Sequence, residues 1–202
     1  MTLASSSIIR DIIGMQKAGL ASLAFFYCDF REELKKGLRG LLSSLLVQLC
    51  FQSNSYSDYL FKFYSEHNNG SRDPSNNELA RCLTDLLNIP GQAPVYFIVD
   101  GLDECPNISV RSPRAEVLNL IKELIKSQFP NLRICVTSRP ETDIKDVLDI
   151  LAFCSVSLHD EGGQKEDIED YIKSVVYMKN RRWKAEHEQM VIDVLTAKAN
   201  GM

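Results

Sequence analysis

The chain has one tryptophan, three histidines and no tract rich in proline or glycine. No apolar run reaches the ~18 residues that a membrane-spanning helix requires. No basic segment leads an apolar core at the N-terminus, so a secretory leader is not expected. Basic residues are not in surplus: 23 Lys and Arg against 27 Asp and Glu leave a net charge of -4. That excludes a nucleic-acid binder working through a basic face. No Cys-x-x-Cys occurs, and His67, His159 and His187 stand too far apart for a metal-ligand spacing. With no leader expected, the glycosylation sequons at Asn69 and Asn107 are expected to be chance matches.

What is present is an ordinary globular composition over 202 residues, 45% hydrophobic and 25% charged. That length suits one domain, or one and a half, with its own core. Of the six cysteines, Cys135 and Cys154 sit in strand-like runs, and Cys50 and Cys82 lie on apolar helix faces. All six are expected to be reduced and mostly buried, which fits a cytoplasmic protein.

Hydrophobic periodicity orders the chain. Residues 3–17 read as a helix with Ile8, Ile9, Ile12 and Ile13 on one stripe. Residues 21–28 (ASLAFFYC) are a continuous apolar run, the pattern of a strand buried on both faces. Residues 34–50 read as an amphipathic helix, with Leu38, Leu41, Leu42, Leu45, Leu46 and Leu49 on its inner face. A helix over 57–67 follows. Ser75-Asn76-Asn77-Glu78 is a capping box that opens the next helix, with Leu79, Cys82, Leu83, Leu86 and Leu87 inward. Residues 94–100 (PVYFIVD) are a second buried strand. Ser112 and Pro113 then start a helix striped by Val117, Leu120, Ile121, Leu124 and Ile125.

A third strand is predicted over 132–137, a short helix near 143–150 and a fourth strand over 153–158. Helices near 166–178 and 184–199 complete the chain. Ile168, Tyr171, Ile172, Val175 and Val176 are expected to face inward in the first of these, and Met190, Val191, Val194 and Leu195 in the second. Strands alternating with amphipathic helices predict an α/β fold with a parallel sheet.

Ligands in open parallel sheets bind at the carboxyl ends of the strands. Asp100, Asp103 and Glu104 follow the second strand, Ser138-Arg139-Pro140 the third, and Cys28-Asp29-Phe30 the first. Carboxylates facing an arginine suit a nucleotide phosphate and its Mg²⁺, because a hard cation takes oxygen ligands and a guanidinium fork matches phosphate. Spacing alone equally allows Asp100 as a turn cap, Asp103 and Glu104 as solvated acids, and Arg139 in a surface ion pair. Asp29 and Arg31 read as loop residues.

The segment VYFIVDGLDEC resembles the Walker B strand of NACHT-class STAND P-loop NTPases, and LRICVTSRPE resembles their sensor 1 strand with its arginine. LAFFYCDF with LRGLLSSLLVQLC resembles their second strand and following helix. The nearest likeness is to fungal members with a nephrocystin-like N-terminal NTPase module. The resemblance implies that Asp100 coordinates Mg²⁺, that Asp103 and Glu104 position or activate water, and that Arg139 senses the γ-phosphate. Thr2, at the head of the first helix, would lie beside the nucleotide. Such proteins act as ATP/ADP switches that open, oligomerise and signal; fungal relatives serve self/non-self recognition and cell death.

One departure shapes these expectations. The phosphate loop GxxxxGK[ST] is absent, and MTLASSSIIRDI resembles the helix that comes after it. The expected architecture is therefore a P-loop NTPase-like, three-layer parallel sheet lacking its first, central strand, with four strands present and helices at the C-terminus. Residues 1–160 would be an incomplete NTPase core and 161–202 the start of a helical segment. In the family's strand order, 5-1-4-3-2, a slot about 9–10 Å wide would separate the strands at 132–137 and 153–158, since neighbours sit ~4.8 Å apart.

Without the loop, this chain would bind neither ATP nor Mg²⁺ by itself. Two functions are expected from different classes. One is a piece of a nucleotide-dependent switch. The other is a non-catalytic module that pairs with full-length homologues or with copies of itself. Neither involves a membrane or a nucleic acid.

Overall fold

Alternation of side chains across three apolar runs builds a parallel sheet covered on both faces. The computed structural model describes residues 2–108, 112–157, 169–176 and 185–199. The first compact unit, Met1–Leu151, contains α1 (Thr2–Lys17), β1 (Ser22–Tyr27), α2 (Leu38–Cys50), α3 (Asn54–Glu66), α4 (Asn76–Leu87), β2 (Val95–Asp100), α5 (Pro113–Lys126), β3 (Leu132–Val136) and α6 (Thr142–Leu151). The order is β1-β2-β3, with both pairs parallel. This is the α/β class expected, with three strands in the described sheet.

The two faces differ in depth. Ala24, Phe26, Val95, Phe97 and Val99 point into the larger core, against Leu41, Leu42, Leu45 and Leu49 of α2, the inner face of α4, and Val117, Ile121 and Leu124 of α5. Each fully buried leucine contributes about 1.5–3 kcal/mol relative to exposure. On the other face, Leu23 and Ile98 meet Ile9 and Ile12 of α1. Helix, sheet and helix thus form three layers, with α1 on the thin side.

The sheet's outer edges are treated differently. Ser22 and Cys28 donate their backbone N–H groups to Pro94 and Asp100. The residues between, Leu23 and Phe25, therefore point their backbone groups outward. Gln52 of the turn after α2 accepts from Leu23 N–H at 2.8 Å and donates to Leu23 O at 2.5 Å. Gln48 of α2 does the same for Phe25, at 3.1 and 2.7 Å. Two side-chain amides stand in for a neighbouring strand and close the β1 edge. On β3, Val95 donates to Asn131 O and Thr137 donates to Val99 O. Ile134 and Val136 accordingly turn their backbone groups to the far side, where no strand pairs with β3 among the described residues.

The predicted fourth strand is corrected. Residues 153–157 carry no strand pairing, and Phe153, Val156 and the residues between them are exposed; residue 158 lies outside the described residues. A strand is defined by its neighbour, and a single apolar run of that length cannot supply one. Cys154 is consequently exposed, while Cys28, Cys82 and Cys105 are buried. All six cysteines are free.

The start of α2 is also later than predicted. Residues Glu33–Lys35 form a separate 3₁₀ turn, and α2 begins at Leu38. Gly40 explains the offset: a Cβ there would overlap the Leu34 carbonyl oxygen, so the incoming chain crosses the helix at that glycine.

The second unit, Ala152–Met202, contains α7 (169–176) and α8 (Ala185–Ala199). Val176 is buried as expected, but Tyr171 is exposed, and Ile168 lies outside the described residues. In α8, Ile192 is buried, whereas Met190, Val194 and Leu195 are exposed. Periodicity marked an apolar stripe, but a helix with few neighbours buries only the narrow part that finds one. No described helix is long and apolar enough to cross a membrane.

The capping box of α4 forms as predicted. Ser75 Oγ accepts from Glu78 N–H at 3.3 Å, and Ser75 N–H donates to Glu78 Oε2 at 2.8 Å. The Ser75 N–H and a second bond donated by the Ser75 hydroxyl to Oε2 at 2.8 Å, then the nearby Arg72 guanidinium, hold the Glu78 carboxyl down at about 2, from an ordinary 4.5. A depressed carboxyl stabilises the fold above its unfolded pKa and loses that contribution as pH falls toward the folded one. Glu78→Gln should therefore unfold at lower urea than wild type at pH 7, and the gap should close as the pH falls from 4.5 toward 2. Urea midpoints of both proteins across that range check the prediction.

Candidate functional site

The three parallel strands finish at one edge, which brings together residues far apart in the chain. Asp100 is the last residue of β2 and is 6% exposed. Thr137, just past β3, donates its hydroxyl to Asp100 Oδ1 and accepts the Gly101 N–H at 3.1 Å. Gly101 has φ 69°, a left-handed conformation that any side chain would strain. It turns the chain sharply into the 3₁₀ turn Leu102–Glu104. Leu102, fully buried, pins that turn to the core. Its N–H also donates to Thr137 O at 3.0 Å.

Asp103 and Arg139 form a latch across the same edge. Asp103 Oδ1 accepts the Arg139 backbone N–H at 3.0 Å, and Oδ2 lies 3.4 Å from Arg139 Nε. The Asp103 side chain is 5% exposed and that of Arg139 is 77% exposed. Glu104 is half-buried and its carboxylate folds back over Gly101, where a Cβ would stand 3.7 Å from Oε1. The structure thus joins Asp100, Asp103, Glu104 and Arg139. Thr2 is the first residue of α1, and its side chain lies outside the described part of the chain.

Two supporting residues escaped the sequence analysis. Thr137 is one; its signal was its register, one position past the Val99–Val136 pair, which sets it opposite Asp100. Arg114 is the other. Its side chain is 6% exposed. Its Nε donates to Cys105 O at 3.0 Å and its Nη2 to Asp103 O at 2.6 Å. Nη1 donates to Glu141 and, at 3.2 Å, to Asp143 Oδ1. Burial pushes the guanidinium's pKa down, but Glu141 and Asp143 outweigh it and the net shift is upward. A cation in the first turn of a helix opposes the macrodipole. That was the available sign that Arg114 serves something besides α5.

Asp29 and Arg31, read as loop residues, form an exposed pair after β1. Arg31 donates through its backbone N–H and Nε to Asp29 Oδ1, each at 2.9 Å, and through Nη2 to Oδ2 at 2.8 Å. These bonds hold the Asp29 carboxyl at about 2. Glu104 also contributes to raising the Arg31 pKa, after Asp29.

Among the described residues, no three His, Cys, Asp or Glu side chains converge into a metal cage. The donor set at Asp100 still fits Mg²⁺, which is commonly held by one or two carboxylates with water and substrate phosphates completing its shell. Asp100, oriented by Thr137, would be that carboxylate.

Arg114→Met should destabilise the fold by about 3 kcal/mol, because two carbonyls lose their donor and two carboxylates their cation. An unchanged urea midpoint would show that the Arg114 network is dispensable.

Comparison with known families adds one match: the family described as nephrocystin 3, N-terminal, over residues 2–139. No curated protein and no solved structure matches the chain. The matched span runs from the start of α1 to Arg139 and includes Thr2, Asp100, Asp103 and Glu104. It covers most of the 202 residues, and the chain belongs to the nephrocystin 3 N-terminal family.

Proposed function

We propose that this chain carries the Mg²⁺- and γ-phosphate-sensing side of a NACHT-class STAND ATPase switch. The observation behind the reading is the buried Asp100 at the end of β2, oriented by Thr137 at the end of its neighbour β3, with Arg139 two residues further on. A carboxylate held that way can take a Mg²⁺ ion directly or through water. Glu104 is the better candidate to hold the attacking water and accept its proton. Asp103 is already engaged with Arg139 and instead positions that guanidinium. The remaining exposed nitrogens of Arg139 would meet phosphate oxygens. Thr2, at the N-terminus of α1, would face the nucleotide, where the first amides of a helix suit an anion.

The sequence holds no Gly-Lys-Ser or Gly-Lys-Thr. The reading therefore requires a Gly-rich loop and its lysine from outside these 202 residues, on a strand beside the open edge of β3. Free cysteines suit a reducing, cytoplasmic setting for such a switch.

The test is Mg-ATP titration. This chain alone should bind no tighter than about 1 mM. In a chain completed with GxxxxGK[ST], Asp100→Ala should weaken Mg²⁺-dependent binding at least about tenfold. Glu104→Gln should slow hydrolysis about 10²-fold or more while sparing binding. Micromolar binding by this chain alone, or full Mg²⁺ dependence in Asp100→Ala, would remove the reading.

A second reading is a non-catalytic module that pairs with homologues or with itself. The contrast between the amide-sealed β1 edge and the β3 edge, where no strand pairs among the described residues, favours it. Ile134→Pro removes an outward N–H and leaves the β2–β3 ladder intact. On this reading it should abolish association seen by sedimentation; association that survives it would place the contact elsewhere.

A further inference from the structure

His67 has no part in the nucleotide reading. It directly follows α3 and is 6% exposed. Its ring lies against Phe63, with centroids 4.3 Å apart. Nδ1 is 2.8 Å from Phe63 O. A carbonyl oxygen can only accept, so Nδ1 carries a proton and the neutral ring keeps a lone pair on Nε2. That nitrogen lies 3.2 Å from Arg72 Nη2, which can only donate. Arg72 Nη2 also donates to Glu78 Oε1, and the same oxygen is 3.5 Å from His67 Nε2. Imidazole, guanidinium and carboxylate thus meet at one point between α3 and α4.

The backbone beside this point depends on the same residue. His67 O accepts from Gly70 N–H at 3.1 Å and from Arg72 N–H at 3.2 Å. Asn68 and Asn69, at φ 52° and 53°, are left-handed, as is Gly70 at 82°. Such a run persists only where surrounding contacts impose it. Gly70 packs on the Tyr64 ring, where a Cβ would stand 2.6 Å from Cε2. The far end of the loop is pinned separately by Arg39 of α2. Its Nη1 donates to Pro74 O at 2.7 Å, and its Nη2 is 3.6 Å from Asp73 Oδ1.

We propose that His67 is a proton-operated clasp on the α3–α4 loop: its neutral ring holds Arg72, and its protonated ring releases Arg72 and takes Glu78. A proton from solvent bonds to Nε2, and the ring then donates from both nitrogens. The Arg72 guanidinium has no acceptor to offer and carries the same charge, so that contact turns repulsive. Glu78 Oε1 is the acceptor within reach. Its carboxyl, held at about 2, stays ionised while the ring changes state. The incoming N–H competes with Arg72 for that oxygen, so Arg72 loses hold on both of its partners. The neighbouring charges on α3, Lys62 and Glu66, pair with each other at 4.0 Å, and Arg39 is occupied at the far end. Arg72 and Glu78 therefore decide the outcome. Residues 68–72 loosen, while the Arg39 contacts keep α4 in place.

The proposal is independent of the nucleotide reading, because its test needs no nucleotide. Nitrogen NMR of wild-type protein near pH 8 should find the His67 proton on Nδ1 and Nε2 bare. On titration from about pH 8 to 5, the span in which imidazoles change charge, the Arg72 side-chain signals should shift with the midpoint of the ring. Exchange of the Gly70 and Arg72 amides, corrected for its intrinsic pH dependence, should rise with that midpoint. The Leu79 amide, bonded to Ser75 O within α4, should keep its protection. In His67→Phe the Arg72 signals and the Gly70 exchange should no longer follow pH. A neutral ring with its proton on Nε2, a ring that stays neutral down to pH 5, or Arg72 signals that ignore its titration would each overturn the proposal. The wild-type readouts decide the matter should His67→Phe fail to fold.

Discussion

The hydrogen bond from Thr137 to Asp100 holds the ends of two strands together and fixes the course of the chain beyond each of them. Burying a carboxylate is costly unless its oxygens find donors. Asp100 sits in the central strand, at 6% exposure, where solvent gives little help. The Thr137 hydroxyl meets that requirement and also accepts the Gly101 N–H. One side chain therefore satisfies the acid and starts the sharp turn after it. Leu102 then anchors the turn by burial and by its own bond to Thr137 O. The positions of Asp103 and Glu104 result from that anchoring.

The sheet that delivers these residues is asymmetric in its edges. An unpaired edge presents a row of donors and acceptors to other chains. On β1 that row meets Gln48 and Gln52, whose amides each satisfy one N–H and one C=O. A glutamine amide has the same donor and acceptor as a peptide group, so the closure needs no further strand. On β3 the Arg133 guanidinium covers the Leu132 and Pro130 carbonyls, but Ile134 and Val136 have no paired strand on that side among the described residues. The outward residues of the two edges alternate by the same period-two rule, so the difference lies in side chains supplied from outside the sheet.

Much of this was legible in the sequence because burial imposes periodicity. The strands at 21–28, 94–100 and 132–137 were dominated by apolar residues, and α2, α4 and α5 carried apolar stripes; apart from the start of α2, all were found near their expected bounds. The capping box of α4 was readable because its partners are three residues apart. Failures came where partners are distant. Residues 153–157 had strand composition but no neighbour to pair with. Residues 34–37 continued a helical pattern, yet the close crossing at Gly40 forces a break. In α8 the choice of Ile192 over its apolar neighbours depends on packing that no local pattern encodes. At the site, the acids and Arg139 were visible because they come directly after strands. Thr137 and Arg114 were not, because their roles exist only across 36 or more residues for the first and between a helix start and two loops for the second.

The three acids after β2 are not equivalent, and burial with hydrogen bonding separates them. Asp100 is buried and oriented by a neutral hydroxyl. Asp103 is nearly as buried, but a guanidinium and a backbone N–H take both of its oxygens; its charge is already balanced. Glu104 is half-exposed and lies over a glycine, where it can reach water. Arg114 reinforces the division by gripping the Asp103 and Cys105 carbonyls from beneath. It also binds Glu141 and Asp143, which flank the entry to α6, so the acidic turn and the Arg139 segment are held by one guanidinium. A displacement of either segment would strain a buried cation. The Arg139 backbone is thereby held against Asp103 while its guanidinium remains largely in solvent.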